Sequence, residues 1–460
     1  MTPHHDTLAK QDIETLIHPY TNLALHQEKG PLVLERGDGI YVWDNDGKQY
    51  IKGLAGLWCT ALGFGEKELV RAASEQMSKL PYYHLFGGRS QGPAIELGER
   101  LKTMAPFPVS KVFFVNSGSE ANDSAIKLIW YYNNAVGRPR KKKIISRLKA
   151  YHGVTIASGS LTGLPMVHQD FDLPIPNILH ADCPHYYRFA EPGESEEEFA
   201  TRLARNLEDL ILKEGPDTVA AFIAEPVMGA GGVLVPPRTY FEKVGKVLST
   251  YDVIMIDDEV ICGFGRTGNM FGCETFGFTP DMMTVAKALS SAYLPVGAVL
   301  IPEIIYEAMV DESRKLGVFG HGFTYSGHPA CAAVALKNLE LIEKRGIVNH
   351  VRSISPRFQE RLTALCDHPL GGEARGIGLI GACELVADKE NKRPFDPQQG
   401  VGAYCAMQCQ KRGLIIRSLG DTIAFCPPLI ITESQIDDLF DLFVQALDDT
   451  EAWVVKEGLR

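Results

Sequence analysis

The middle of the chain alternates between short apolar runs and stretches with helical periodicity. Continuous apolar runs of this length are typical of strands buried on both faces, as in a mostly parallel sheet covered by helices. From about Pro93 onward the sequence therefore predicts an α/β domain. Its expected strands end at Val115, Ser146, Glu225, Asp257, Ala286 and Ile301.

The two ends of the chain show other patterns. In residues 33–51 apolar and polar positions alternate on either side of Asp-Gly turns, which predicts short antiparallel strands joined by hairpins. After Pro329 the pattern is helical, then gives strands within 378–386 and 413–429. A capping-box pattern at Thr432 and Gln435 precedes a last helix with one apolar stripe, formed by Ile436, Leu439, Phe440 and Phe443. We expect a small α+β domain built from both ends, with segments 1–60 and 329–460 flanking a large domain at 61–328.

Composition and charge narrow the classes of function. The net charge of -11 and the pI near 5.7 argue against nucleic acid or an anionic membrane as a partner, because phosphate groups favour a basic face. No segment has the apolar length of a signal peptide or a membrane span, so we expect a cytoplasmic protein. The ten cysteines form no CxxC pair and have no neighbouring histidine at metal-ligand spacing. This indicates reduced core thiols, with a zinc site as the alternative.

A turn of small residues follows the first predicted strand of the α/β domain. Ser117, Gly118 and Ser119 stand between that strand and a predicted helix. The free amides and positive dipole end of a helix N-terminus suit a phosphate. An ordinary N-cap explains the same residues, so both interpretations stay open at this point.

A second group of polar residues ends a buried strand. Asp257, Asp258 and Glu259 lie at the carboxyl edge, where α/β sheets bind ligands. Buried acids need a cationic partner. A protonated pyridine nitrogen is one such partner, and a Mg²⁺ ion or a structural ion pair are the alternatives.

The same stretch contains a formal match to a dinucleotide motif. Residues 263–268, GFGRTG, fit GxGxxG. A dinucleotide fingerprint should follow its strand directly and open a helix. Here three acidic residues come first and no helical pattern follows, which argues against a nicotinamide site.

Lys287 comes at the end of the next predicted strand. It follows Asp258 by 29 residues, about the length of one βαβ unit, so the two residues should face one cleft. Partial burial favours the neutral amine that a Schiff base requires. A lone lysine is usually a surface charge, and the prediction depends on its combination with Asp258.

Six segments together carry a resemblance to a known family. In chain order they are NSGSEAND, AYHG, AEPVMGAGG, DEVICGFGRTG, AKALSSAYLPVGA and HGFTYSGHPA. The series resembles class III pyridoxal phosphate-dependent aminotransferases and is most similar to the amine:pyruvate, or ω-amino acid:pyruvate, transaminases. GLWC near the start and IIRSLGD near the end add to this likeness. It implies a fold-type I enzyme with a seven-stranded type of sheet that moves an amino group to pyruvate or another oxo acid by a ping-pong mechanism.

The resemblance implies roles at the sheet edge. Lys287 would hold pyridoxal phosphate as a Schiff base and later move a proton between the substrate Cα and the cofactor C4′. Asp258 would pair with the pyridinium nitrogen. Val260 and Tyr151 would pack on opposite ring faces, although ordinary core packing also explains these two residues.

Other cofactor contacts are implied in the same way. The 117–119 turn would hold the phosphate, and Thr324 would reach the same phosphate from a partner subunit, so a complete site requires a homodimer. Glu225 would lie near the phenolic side of the cofactor and help to position a mobile arginine. His152 belongs to the AYHG motif and is counted with the cofactor-binding residues.

The substrate pocket is implied by five further matches. Arg417 resembles the mobile arginine that binds a carboxylate or swings away for a neutral amine, and a surface salt bridge is its alternative. Leu57, Trp58 and Phe86 match apolar pocket positions, with core packing open for Trp58. Tyr20 matches a position contributed by the other subunit.

Two departures leave the donor open. Ile261 stands where ornithine-type and γ-aminobutyrate-type relatives have glutamine, which favours the amine:pyruvate branch. Met228 and the 87–88 glycine pair differ from that branch. Taurine, β-alanine or a diamine are alternative donors, an aminomutase or racemase on the same fold is an alternative reaction, and a nicotinamide oxidoreductase is the alternative from another class.

Overall fold

The computed structural model describes residues 3–460. The strands are β1 (Leu34–Asp38), β2 (Tyr41–Asp44), β3 (Gln49–Lys52), β4 (Lys111–Val115), β5 (Lys143–Arg147), β6 (Ile178–Ala181), β7 (Val219–Ala224), β8 (Ile254–Asp258), β9 (Met282–Val285), β10 (Gly297–Ile301), β11 (Gly371–Ile377), β12 (Ile380–Leu385), β13 (Leu414–Ile415), β14 (Arg417–Leu419) and β15 (Thr422–Phe425).

The helices of the first half are α1 (Pro3–Thr15), α2 (Leu23–Lys29), α3 (Ala55–Trp58), α4 (Lys67–Lys79), α5 (Gly92–Met104), α6 (Gly118–Ala135), α7 (Ile156–Leu161), α8 (Pro165–His168), α9 (Tyr186–Phe189) and α10 (Glu196–Glu214). The second half adds α11 (Tyr240–Thr250), α12 (Gly272–Phe276), α13 (Glu303–Leu316), α14 (Pro329–Lys344), α15 (Ile347–Ala364), α16 (Val401–Lys411) and α17 (Glu433–Lys456). Short 3-10 turns cover Phe86–Gly88, Lys287–Ser290, Leu365–Asp367 and Pro397–Gln399.

The central sheet has seven strands in the order β4-β10-β9-β8-β7-β5-β6. Only β10 runs against the others within it, because it pairs antiparallel with both β4 and β9. Every residue of β7 and β10 is buried, as expected for apolar strands with helices on both faces. The predicted mostly parallel α/β sheet is confirmed.

The helices bury the faces that the sequence pattern predicts. Ser117 caps α6, since its hydroxyl accepts a hydrogen bond from the Glu120 amide, and the buried side of that helix includes Ala121, Ala125 and Ile129. Thr432 and Gln435 form the predicted capping box of α17. The stripe that follows this cap is fully buried. No helix within residues 3–460 is long and apolar enough to cross a membrane.

The two chain ends share a sheet. Strands β1, β2 and β3 form an antiparallel ribbon, and β13 adds to β3 in parallel with Leu414 opposite Ile51. A second four-stranded antiparallel sheet has the order β11-β12-β15-β14. This arrangement is the predicted small α+β region built from both ends of the chain. The boundaries at residues 60 and 328 stay predictions.

Candidate active site

A cavity of about 390 Å³ opens at the carboxyl edge of the central sheet. This volume is in the range of about 300–1,000 Å³ that is usual for small-molecule sites. Parallel strands end at one edge, so polar residues that follow β4, β5, β7, β8 and β9 meet there. Ten of the predicted site residues line the cavity: Leu57, Ser117, Gly118, Ser119, Tyr151, His152, Glu225, Asp258, Val260 and Lys287.

Asp258 is buried at the end of β8, and both of its carboxylate oxygens accept hydrogen bonds. Its Oδ2 accepts hydrogen bonds from His152 Nδ1 at 2.7 Å and from Asn122 Nδ2 at 2.8 Å. Its Oδ1 accepts from the Val260 amide at 3.1 Å. Three donors fix the orientation of this carboxylate.

Asn122 was missed by the sequence analysis, although it belongs to the NSGSEAND segment. It is 1% exposed on α6, where its carbonyl oxygen accepts from Thr284 Oγ1 at 2.8 Å. Its amide also donates to the His152 carbonyl at 2.7 Å. An amide side chain beside Ala121, in the first turns of a helix that is expected to begin at the cavity, is the signal that could have identified it.

Lys287 stands just beyond β9 rather than on it. Strand β9 ends at Val285, and Lys287 begins a 3-10 turn with a positive φ of 46°. Such backbone conformations are costly for a residue with a side chain and occur most often at functional sites. Burial lowers the pKa of Lys287, which Asp258 and Glu225 oppose by their charges. Burial is the larger effect and favours the neutral amine.

The N-terminus of α6 points its unpaired amides at the same cavity. Within residues 3–460, the Gly118 and Ser119 amides donate to no protein acceptor. A Cβ built on Gly118 would lie 3.0 and 3.1 Å from the two γ-carbons of Val260, so the helix end packs tightly against this side chain. The free amides and the helix dipole make this end a fitting site for an anionic group.

Glu225 holds the backbone on the opposite side of the cavity. Its carboxylate accepts from the Tyr151 amide at 2.9 Å and from the Gly229 amide at 3.0 Å. Burial raises the pKa of Glu225. Within the described part of the chain no ion pair joins Glu225 to Arg417, so the expected positioning of that arginine by Glu225 is not seen.

Tyr20 lies beside Tyr151 of the same chain. The two hydroxyls are 3.5 Å apart and the ring centroids 6.4 Å apart. The expectation that Tyr20 comes from the partner subunit is therefore corrected: the turn between α1 and α2 brings it to the rim of its own cavity. Burial and the Tyr20 hydroxyl raise the pKa of Tyr151.

Arg417 begins β14 near these two tyrosines. Its charge acts on Tyr151 and Tyr20, and burial lowers its pKa. Across residues 3–460 no carboxylate pairs with this guanidinium, so the surface salt-bridge alternative is not observed. Lys52 lies close to Arg417, and burial with that neighbouring charge lowers the pKa of Lys52 to about 8.

Leu57 and Trp58 are adjacent in sequence but point to different places. The Leu57 side chain is exposed and lines the cavity. Trp58 is 3% exposed and packs in a cluster with Val227 and Ile261. Core packing therefore accounts for Trp58 in this chain.

Neither Phe86 nor Thr324 lines the Lys287 cavity. The Tyr82 hydroxyl donates to the Thr324 carbonyl at 2.9 Å. Phe86 lines a separate groove with residues 319–322, and a Cβ on Gly322 would lie 2.9 Å from its ring. Phe86 and Thr324 are both exposed. A single chain does not bring either residue to the site.

The GFGRTG segment has a structural use. Arg266 is 2% exposed and donates to the carbonyls of Leu379 at 2.9 Å and Pro427 at 2.6 Å. The next helix, α12, begins only at Gly272 and has five residues. The segment therefore ties the central sheet to the C-terminal region and does not open a helix toward a ligand.

Known proteins with similar sequences point to one family. The family described as class-III aminotransferase matches residues 24–447. A mitochondrial γ-aminobutyrate transaminase of Oryza sativa subsp. japonica is 54% identical over 442 residues, which cover 96% of this chain and 86% of that protein.

Two solved structures share the fold. An ω transaminase from Pseudomonas jessenii in complex with PMP has a TM-score of 0.96 and 56% identity, covering 97% of this chain and 99% of that one. A thermostable ω transaminase variant with a changed tryptophan, phenylalanine and arginine, engineered for asymmetric synthesis of bulky amines, has a TM-score of 0.96 and 56% identity over 97% of this chain and 100% of its own. The chain belongs to the class III aminotransferases and is a pyridoxal phosphate-dependent transaminase of fold type I.

Proposed function

We propose that the chain transfers the amino group of an amine or ω-amino acid to pyruvate or another 2-oxo acid in two half-reactions at the Lys287 cavity. One observation carries the proposal. Lys287, a carboxylate held by three donors at Asp258, and the unpaired amides of α6 all face a single cavity. These are the groups that an aldehyde cofactor with a ring nitrogen and a phosphate requires.

The residues present fit pyridoxal phosphate, which when bound supplies an electron sink for the bonds at the substrate Cα. The Gly118 and Ser119 amides would hold the phosphate. Asp258 would keep the ring nitrogen protonated, because a neighbouring carboxylate favours the charged form. Val260 and Tyr151 line the cavity together and would enclose the ring.

Lys287 would act twice. In its neutral form the amine can attack the cofactor aldehyde, and burial already favours that form. Once the donor amine has displaced it, the same neutral amine can take the proton from the donor Cα and return it at the cofactor C4′ position. The oxo acid then reverses these steps, so one base serves both half-reactions.

Arg417 would select the carboxylate of the acceptor. A guanidinium without a carboxylate partner, beside two tyrosine hydroxyls, can bind a substrate carboxylate with two parallel hydrogen bonds. A neutral amine donor would need this charge to move away, because a buried unpaired charge is costly. The engineered relative with a changed arginine supports the importance of such a residue for bulky amines.

The donor itself is the finer part of the proposal. Ile261 in place of glutamine favours an amine donor, whereas the rice relative is named for γ-aminobutyrate. At 54% identity that likeness keeps γ-aminobutyrate among the candidate donors, together with β-alanine, taurine and diamines. Leu57 gives the cavity an apolar wall, which favours donors with an alkyl or aryl portion.

A homodimer would complete the site. Thr324 and Phe86 are exposed, and neither lines the Lys287 cavity of its own chain. A second copy that covers this surface would receive both residues at its own cavity. Thr324 would then contact the phosphate and Phe86 would add to the substrate pocket.

For location, we propose the cytoplasm from the sequence pattern, although the name of the rice relative places that protein in mitochondria. Cell fractionation with an antibody against the chain separates the two compartments. Recovery with an organelle marker would contradict the cytoplasmic assignment.

The function is tested by half-reactions of the holoenzyme. We would add 1-phenylethylamine, β-alanine, γ-aminobutyrate or taurine separately, follow loss of the visible cofactor band, and then restore it with pyruvate. The variants Lys287→Ala and Asp258→Asn should not carry out these half-reactions, whereas a variant at a remote site should carry them out as the wild type does. A band that no donor bleaches contradicts the donor class, and turnover without any oxo acid would favour an aminomutase.

A further inference from the structure

Three metal-ligating side chains meet near the N-terminus, outside the Lys287 cavity. Asp12 lies on α1, His18 follows that helix, and His26 lies on α2. The His18 Nε2 atom lies 2.9 and 3.0 Å from the two Asp12 carboxylate oxygens, and the His26 Nε2 atom lies 3.0 Å from Oδ1. Both imidazole rings therefore contact the same carboxylate.

The spacing of these atoms suits a divalent transition-metal ion. Bonds from zinc to histidine nitrogen and carboxylate oxygen are about 2.0–2.2 Å long, so two ligand atoms of a tetrahedral ion lie about 3.3 Å apart. The nitrogen-to-oxygen separations seen here are within a few tenths of an ångström of that distance. An ion could replace the shared protons with little movement of the side chains.

The surroundings also suit an ion. The side chains of His26 and Asp12 are 9% and 16% exposed, so water screens their charges only partly. The His18 side chain is 32% exposed, which leaves an open side for a water ligand. Among the side chains that the structure describes, which begin at residue 7, Asp12 forms ion pairs only with these two histidines, so no described lysine or arginine competes for its charge.

Two other groups of metal-ligating atoms lie within 4.8 Å of one another, and both are poorer sites. In the group around His185, Arg375 pairs with Glu373 and Glu384, and its positive charge would repel a cation. The group around Cys273 is fully buried and offers an ion no open side.

We propose that Asp12, His18 and His26 bind one divalent ion of the zinc class, with water completing the coordination. Two imidazoles and one carboxylate are ligands that such ions accept. The proposal departs from the sequence analysis, which predicts no metal site. Cysteine pairs and short histidine spacings are visible in a sequence, whereas these three ligands are brought together only by the packing of two helices.

The ion would act on the segment that carries Tyr20. His18 and His26 flank this segment, and Tyr20 has a positive φ of 52° with its hydroxyl 3.5 Å from that of Tyr151. Fixing both flanks on α1 would hold Tyr20 at the rim of the cavity. The bound ion would thus stabilise the substrate side of the site without touching the reacting atoms.

The test uses chelator-treated holoenzyme titrated with Co²⁺, whose visible absorption reports coordination. One Co²⁺ per chain should bind and be displaced by Zn²⁺. His26→Gln and Asp12→Asn should each weaken binding more than about tenfold, since even changes behind the ligands cost about that much. His168→Gln is the matched control, because that ring bonds only to the Gly159 carbonyl at 3.0 Å.

A second control removes His4 and His5 together, which are adjacent in the sequence and could bind metal on their own. Unchanged Co²⁺ binding by this double variant supports the proposal, and loss of binding overturns it. Undiminished binding by a folded His26→Gln, judged by its thermal unfolding, overturns it too. Zinc should also slow limited proteolysis before residue 30 in the wild-type chain only. None of these readouts depends on transaminase activity, so their failure leaves the proposed function untouched.

Discussion

The Nδ1 atom of His152 lies 2.7 Å from the Oδ2 atom of Asp258, and the same oxygen accepts from Asn122 at 2.8 Å. Both donors are buried, and Asn122 is in turn held by Thr284. The carboxylate that would face the cofactor nitrogen is therefore set by a chain of side chains running from β9 through α6 to β8. Each of them can be tested without altering Asp258.

Asn122→Ala should weaken cofactor binding. The substitution removes a donor to Asp258 and leaves the Thr284 hydroxyl and the His152 carbonyl without partners. A hydrogen bond to a charged group contributes about 1.5–3 kcal/mol, and its loss would loosen the carboxylate that faces the cofactor, so we expect roughly tenfold or greater loss of pyridoxal phosphate affinity. Equilibrium dialysis against free pyridoxal phosphate, with bound cofactor quantified from its visible absorption band, measures this affinity.

Asn133→Ala supplies the matched control for that experiment. Asn133 is 1% exposed on the same helix and donates to the Ile129 carbonyl at 3.0 Å, far along α6 from the cavity. This variant should lower thermal stability and keep cofactor affinity. Equal loss of affinity in both variants would mean that Asn122 acts only through the stability of α6.

Gly118→Ala should weaken phosphate binding by crowding Val260. The new Cβ would lie 3.0 and 3.1 Å from the two γ-carbons of that side chain, so one of the two must shift. Val260→Ala in the same chain should restore part of the affinity, because it removes those γ-carbons. A double-mutant cycle on the cofactor dissociation constant measures the coupling.

The control for Gly118→Ala is Gly245→Ala. Gly245 lies within α11, and nothing lies within 4 Å of a Cβ built there. Alanine in an open helical position should stabilise the protein by about 0.5–1 kcal/mol and leave cofactor binding unchanged. Additive effects of Gly118→Ala and Val260→Ala would argue against direct crowding.

Apolar runs predicted most of the central sheet because its strands are buried on both faces. Strand β6, with the sequence ILHA, was not predicted, since it is short, lies at the edge and contains His180. The reversed direction of β10 was not predicted either. Strand direction depends on the connection that follows β9, and the residues of β10 are as apolar as those of a parallel strand.

Site residues that follow a strand were easier to predict than those brought in by the wider fold. Asp258 ends β8 and Lys287 follows the neighbouring parallel strand β9, so their meeting depends only on the sheet. Tyr20 depends on the packing of α1 and α2, and its placement in the partner subunit was wrong. Trp58 could not be assigned from sequence, because its direction is set by a positive φ of 65° that turns it into the core.

Asp257→Asn should be tolerated at neutral pH, unlike Asp258→Asn. Asp257 is fully buried and lies beside the Glu259 carboxyl and the Cys273 thiol. Burial and the nearby Glu259 carboxyl raise the pKa of Asp257 well above its ordinary value. The raised pKa favours the protonated form, which asparagine resembles in shape and charge.

The pH dependence of stability distinguishes a protonated Asp257 from a charged one. A carboxyl group with a raised pKa in the folded chain stabilises the fold at low pH, and that contribution is lost as the pH rises through the raised pKa. Wild type should therefore lose stability relative to Asp257→Asn above the ordinary carboxyl range of about pH 4. Urea unfolding across a pH series measures this. A loss of about 3–5 kcal/mol in Asp257→Asn at neutral pH would instead indicate a buried charge with a partner.

Mixed dimers of Lys287→Ala and Thr324→Ala should regain activity that neither homodimer has. If Thr324 serves the cavity of the partner, one site of the mixed dimer carries both substitutions and the other carries neither. The intact site then works at the wild-type rate. The exposed position of Thr324, away from the Lys287 cavity of its own chain, motivates the experiment. Co-expression with two affinity tags isolates the mixed species for assay. If Thr324 acts within its own chain, each site of the mixed dimer keeps one substitution and no activity returns.

Lys287→Ala mixed with Asp258→Asn is the matched control. Both of those residues line the cavity of one chain, so this pair should stay inactive under either arrangement.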